Sequence, residues 1–268
     1  MIIDAHHHLE TSPDYLERLV DNCQRAGVNK VCLFGLSGNA GDYGLASDPE
    51  ILKAMEKYPD LIIAYASFSL GTELPEKVDE IVQQGFKGIK FINPKSNYDD
   101  KEFYPVYERM ESAGIPAIFH LGIIAKNPTD KYHDINNNRM RPVYLDTIAR
   151  AFPDLNIVGA HLGNPWYEEA TMSARWNPNL YFDLSGSTLK KKNAEFLGQL
   201  LWWTPETRYR DPMDRYAWEK IVFGSDVPPE EIKDVLNDYK NVMTELKVSK
   251  AVQDKVFGGT MADILGLT

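Results

Sequence analysis

The sequence predicts a single (β/α)8 barrel over residues 1–268, and three observations predict it. Eight short, β-branched apolar runs recur along the chain, several without polar alternation, as in strands covered on both faces of a parallel sheet. Amphipathic helical patterns lie between them, and the runs repeat at about the length of one strand–helix unit. A chain of 268 residues suits one barrel of roughly 250 residues. No Gly-rich dinucleotide fingerprint follows any run to favour a doubly wound sheet.

In order, Ile2-Ile3 opens the first strand, and Lys30 to Phe34 and Leu61 to Tyr65 supply the second and third. Between the latter two, Asp48 is expected to cap a helix with Pro49 at its first position and Ile51, Leu52, Met55 and Tyr58 on one face. Gly88 to Ile92 and Ala117 to Phe119 follow as strands, separated by a helical stripe of Phe103, Val106, Tyr107 and Met110. Pro142 opens a helix carrying Val143, Leu145, Ile148 and Phe152 ahead of Asn156 to Ala160. Leu180 to Leu184 and Lys220 to Phe223 complete the strands, and Pro229 precedes the stripe of Ile232, Val235, Leu236, Tyr239 and Met243. No low-complexity linker or charge block marks a domain boundary. Two connections are long, Leu121 to Tyr144 and Ser185 to Trp218, and long loops after barrel strands build the active-site face.

Charge and composition narrow the function. A net charge of −10 argues against a nucleic-acid or anionic-membrane partner, either of which needs a basic face. No run has the length of a membrane span, and the first residues lack a basic segment followed by an apolar one, so a cytoplasmic protein is expected. Cys23 and Cys32 read as reduced, buried small residues.

The six histidines carry the strongest signal. The last residues of eight strands make up about 24 positions, where chance places about half a histidine. Five histidines stand there: His6, His7 and His8 after strand one, His120 after strand five and His161 after strand six. Side chains alternate along a strand, so His6 and His8 share a face and His7 points the other way. Two imidazoles on one face, joined by His120 and by Asp226 at the end of strand eight, form a ligand set suited to Zn2+, with Mn2+ or another divalent ion as alternatives. Taken alone, Asp226 also reads as a helix cap, His161 as a core histidine and His133 as a loop residue.

The motifs Ile3-Asp4-Ala5-His6-His7-His8, Phe119-His120-Leu121-Gly122, Gly159-Ala160-His161-Leu162-Gly163, Tyr181-Phe182-Asp183-Leu184-Ser185-Gly186 and Gly224-Ser225-Asp226-Val227-Pro228 run in barrel order. Together they resemble the amidohydrolase superfamily, and within it the "amidohydrolase 2" group that includes aminocarboxymuconate semialdehyde decarboxylase. Thr260-Met261 departs from the Asn-Ala common in that group. The resemblance implies His6, His8, His120 and Asp226 as ligands of one metal, with His161 as acid/base and Asp226 as a second catalytic group. Lys90, at the end of strand four, then reads as a carboxylated bridge between two metals, a cation for a substrate carboxylate or a barrel lysine.

The resulting expectation is a metal-dependent hydrolase that uses activated water on a lactone, amide or related bond of a small carboxylated substrate. A non-oxidative decarboxylase is the alternative, and a non-catalytic metal- or ligand-binding barrel the second. Lys90, Arg139 and Trp166 are the expected substrate contacts, in a cationic rim that also includes Asn93, Lys95, Arg141, Tyr167, Lys190 to Lys192, Arg208 and Arg210. Trp202-Trp203 reads as core or interface packing, and a homodimer is one expected assembly.

Overall fold

The computed structural model describes residues 1–36, 44–207 and 213–267; Arg208 and Arg210 lie outside them. Strands β1 (Ile3–His8), β2 (Lys30–Phe34) and β3 (Ile62–Ala64) pair in parallel, and a second parallel ladder runs through β4 (Ala66–Phe68), β5 (Ile89–Phe91), β6 (Ala117–Phe119), β7 (Ile157–Gly159), β8 (Leu180–Asp183) and β9 (Ile221–Val222). β3 and β4 are one extended stretch interrupted at Tyr65, whose N–H donates to Leu33 O while Ala66 N–H donates to Gly88 O. At the opposite seam Ala5 N–H donates to Phe223 O and Asp226 N–H to His6 O, both at 2.8 Å. These bonds join the two ladders at both edges, so the strands form the expected (β/α)8 barrel.

The apolar runs are continuous because each strand is buried twice. One set of side chains packs outward under the helices; the other fills the barrel interior, where Ile3, Ala5, Cys32, Phe34, Tyr65, Ile118, Val158 and Val222 meet. Met261, Ala262 and Ile264, from the short C-terminal helix Thr260–Ile264, pack into that interior cluster. Both cysteines are buried and free. Gly88 is required by this packing, since a Cβ there would lie 2.1 Å from the Tyr65 ring.

The helix Ile232–Glu245 follows the stripe read from sequence, burying Ile232, Val235, Leu236, Tyr239 and Met243. Helix α1 (Tyr15–Ala26), for which the sequence shows no such stripe above, buries Tyr15, Leu19 and Cys23. One start differs from expectation. The helix Asp48–Lys57 is capped by Ser47, not Asp48, because the Glu50 carboxylate accepts from both the N–H and the hydroxyl of Ser47. Asp48 instead accepts from the N–H and hydroxyl of Ser67, tying the helix to β4. Among the described residues, no helix is long and apolar enough to cross a membrane.

Candidate active site

A bulge in β1 decides which histidines enter the barrel. Ile3 and Ala5 point inward, and strict alternation from them would send His7 inward and His6 and His8 outward. The β1–β2 register slips between Asp4 and His7: Asp4 pairs with Val31 and His7 with Leu33, so three steps on β1 match two on β2. The extra residue reverses the parity. His8 then lies opposite the inward-facing Phe34, and His7 turns outward to Ser225 and Tyr15. The expected common face of His6 and His8 is therefore observed, and the bulge is what turns it inward.

At the strand ends, His6 Nε2, His8 Nε2 and His161 Nε2 lie 3.7, 3.9 and 3.8 Å from the carboxylate of Asp226. His120 faces the same centre, with its ring 5.1 Å from that of His161. His161 at φ 60° and Asp226 at φ 45° hold left-handed backbone there, as do their strand-end neighbours Leu162 at φ 47° and Asn93 at φ 48°. Such strain in non-glycine residues concentrates at functional sites.

Asp183 organises this centre, and the sequence reading assigned it no role. Its Oδ2 accepts from His6 Nδ1 at 2.8 Å; its Oδ1 accepts the N–H groups of His161 and Ser185 and the Ser185 hydroxyl at 2.5 Å. A serine hydroxyl has one proton, so Ser185, having given it to Asp183, must accept from His161 Nδ1–H at 2.9 Å. Both imidazoles thus carry the proton on Nδ1 and present the Nε2 lone pair to Asp226. The sequence signal for it is its place in the motif Tyr181-Phe182-Asp183-Leu184-Ser185-Gly186, a carboxylate closing a strand two residues before a serine.

Burial pushes His8, His120 and His161 below the ordinary histidine range, so they stand neutral with lone pairs available. Burial alone would raise the Asp226 carboxyl, but the charges of His6, His161 and His8 once these are protonated, together with the Lys90 ammonium, reverse this and hold it well below the usual carboxylate range. Asp183 follows the same pattern: burial is outweighed by His6, His161 and Ser185. Neutral imidazoles beside ionised carboxylate oxygen are the donor set of a divalent transition-metal site. His6, His8 and Asp226 each offer a ligand atom within 4.8 Å of the others, and the buried Nε2 of His120 has no hydrogen-bond partner. The residues present fit a metal ion.

Above this centre opens a cavity of about 560 Å³ with an apolar wall that includes Leu36, Leu45, Leu70, Ile92, Ile124 and Ile135. Asn93 and Lys95 line it, as expected of rim residues. So does His133, read from sequence as a loop residue: it does lie in the long loop after β6, which folds over the cavity. Arg139 and Trp166 are not in the cavity wall. Arg139 bonds to Asp134 and Pro94 O, and Trp166 lies under the Arg141 guanidinium, itself paired with Glu169. Lys190 pairs with Glu231, and Lys192 lies over Tyr167 and Phe196. Lys90 is buried inside the barrel, with Nζ 3.1 Å from His6 Nε2 and 4.7 Å from the centre of the Phe34 ring. Its burial pulls the ammonium down to about 8 against the opposing fields of Asp226 and Asp183. Trp203 is core, whereas Trp202 is exposed.

A parallel barrel with imidazoles and carboxylates converging at the C-terminal ends of its strands defines a class of barrel proteins whose chemistry sits at that face. The chain belongs to the amidohydrolase family, whose model matches residues 3–267. No curated protein matches it at a significant level. Among solved structures it is similar to an uncharacterised TIM-barrel protein of Bordetella bronchiseptica (20% identity, 99% and 98% of the two chains covered, TM-score 0.73). It is also similar to 5-carboxyvanillate decarboxylase of Sphingomonas paucimobilis (13%, 100% and 99%, TM-score 0.68). A third is the 5-carboxyvanillate decarboxylase of Novosphingobium aromaticivorans, complexed with manganese (15%, 98% and 94%, TM-score 0.60). At these identities the likeness is one of fold. The last of these structures holds manganese, and a shared barrel does not by itself fix the reaction.

Proposed function

We propose that the protein is a metal-dependent hydrolase of small carboxylated substrates, with His6, His8, His120 and Asp226 holding one divalent ion, Zn2+ or Mn2+, and His161 handling the proton. The observation that carries this reading is the convergence of three Nε2 atoms on the Asp226 carboxylate at the base of the cavity. The ion, when bound, lowers the pKa of water to about 7 and polarises a substrate oxygen. The residues do the rest. Asp183 fixes the His6 ring so that its lone pair faces inward, as carboxylates behind metal-bound histidines do. His161 Nε2 accepts the proton of the attacking water and returns it to the leaving group, and Asp226 orients that exchange. Among the described basic rim residues, Lys95 is the one on the cavity wall, and it takes the substrate carboxylate in place of the buried Lys90 and the paired Arg139.

The second reading, non-oxidative decarboxylation, is favoured by the apolar wall, which would desolvate a carboxylate of an unsaturated or cyclic acid.

Elemental analysis and turnover of the same preparations test both. The expected result is about one metal ion per chain, lost in a His6→Ala/His8→Ala variant, with His161→Ala keeping the ion while turnover falls by about 10²–10⁴-fold. Release of CO2 from an unsaturated acid, without lactone or amide hydrolysis, selects decarboxylation. Full turnover by His161→Ala removes the acid/base assignment, and a tightly bound ion with no turnover on either substrate panel leaves a binding barrel.

A further inference from the structure

Behind the cavity, on the outer side of β1, lies a second set of buried polar side chains that the proposed chemistry does not use. Asp4 Oδ1 accepts the N–H groups of Ser225 and His6 at 2.9 and 3.1 Å, and Asp4 Oδ2 accepts the Ser225 hydroxyl at 2.5 Å. With its one proton so placed, Ser225 Oγ must accept from His7 Nδ1–H at 2.9 Å, which leaves His7 Nε2 to accept from the Tyr15 hydroxyl at 3.2 Å. Asp4, His7 and Ser225 are fully buried. The order Asp–Ser–His is that of Asp183, Ser185 and His161 inside the cavity, but here none of the three groups faces it.

We propose that Asp4, Ser225 and His7 are positioning residues that set the metal-binding geometry of His6, His8 and Asp226, an inference that rests on the metal site proposed above. Asp4 and His7 are the two shoulders of the β1 bulge, and the bulge is what turns His6 and His8 inward. Ser225 holds both shoulders at once and directly precedes Asp226, whose left-handed backbone persists only where its surroundings over-determine it. The Asp226 N–H to His6 O bond closes the loop across the barrel seam. Three ligands from two strands are thereby referred to one hydroxyl. Loss of that hydroxyl lets the bulge and the seam relax independently, and the donor atoms lose their common centre.

The test is Zn2+ affinity, measured by competition with a chromophoric chelator on full-length protein, for Ser225→Ala, His7→Leu and His7→Asn, with folding checked by circular dichroism. Ser225→Ala and His7→Leu are expected to weaken binding by about 10–100-fold. His7→Asn, whose amide N–H replaces the Nδ1–H donor, is expected to stay near wild type. Folded Ser225→Ala and His7→Leu proteins with wild-type affinity overturn the proposal, as does His7→Asn falling with His7→Leu. If Ser225→Ala does not fold, the two His7 variants make the same comparison. Wild-type protein that fails to bind Zn2+ overturns the metal site and the network together, whereas normal wild-type binding with unaffected variants overturns the network alone.

Discussion

Ser185 shows how one hydroxyl sets the state of a neighbouring base. Its proton goes to Asp183, so His161 must donate from Nδ1 and keep Nε2 free toward Asp226. Ser185→Ala removes that constraint while touching none of the proposed ligands. Turnover is expected to fall by about 10–100-fold with metal content unchanged, read by steady-state kinetics beside elemental analysis; wild-type turnover would show that Asp183 and burial suffice. The histidines themselves were legible in sequence because strand-end placement is a strong local signal. Asp183 was less so, since its importance comes from four donors brought to it by the fold. Cationic residues were the least legible. Arg139, Arg141 and Lys190 carry long side chains that reach whichever carboxylate lies nearby, and Asp134, Glu169 and Glu231 took them.

The two long connections had equal standing in the sequence, yet they differ in use. The loop after β6 lines the cavity through Ile124, Ala125 and Tyr132 to Ile135, whereas among the described residues of 185–218 none lines it. Gly122 anchors the first of these loops. It has φ +92°, and a Cβ there would lie 1.9 Å from Asn164 O, in the turn after β7. The clash is with backbone, so the loop must move as a unit. Gly122→Ala is expected to cost about 1–3 kcal/mol from the left-handed backbone alone, with more from the clash. Urea denaturation checks the first part, and an unchanged midpoint would mean the turn relaxes freely. The helices carrying a clear stripe were legible to within a residue or two because 3.6-residue spacing is local, whereas Tyr15–Ala26 and Tyr167–Trp176 were not read. The cap at Ser47 was missed because Asp48, one residue later, is also a good cap by type, and only the distance to Ser67 decides its actual partner.

For the whole molecule, several neutral histidines buried together make stability depend on pH. Burial holds His8, His120 and His161 below the ordinary value of 6.5, so below that pH the unfolded chain takes up protons that the folded protein does not. Stability of the metal-free protein is therefore full above pH 6.5 and is lost as pH falls toward the folded values, by up to about 1.4 kcal/mol per pH unit for each group. Asp183 and Asp226 act in the same direction only below the ordinary 3.8 of an aspartate. Urea unfolding with chelator present, at pH 8, 6.5 and 5.5, is expected to give similar stability at the first two and a clear fall at the third; a flat profile would contradict the neutral state of these rings. By itself the sequence determined the barrel, its strand order and the set of strand-end imidazoles, because apolar runs, stripes and histidine placement are periodic or local features. The tertiary structure decided what has no local signature: the bulge that reverses the parity of β1, the hub at Asp183, the loop that walls the cavity and the carboxylates that claim Arg139, Arg141 and Lys190. Each depends on atoms far apart in the chain meeting at hydrogen-bond distance, a condition only the closed barrel imposes.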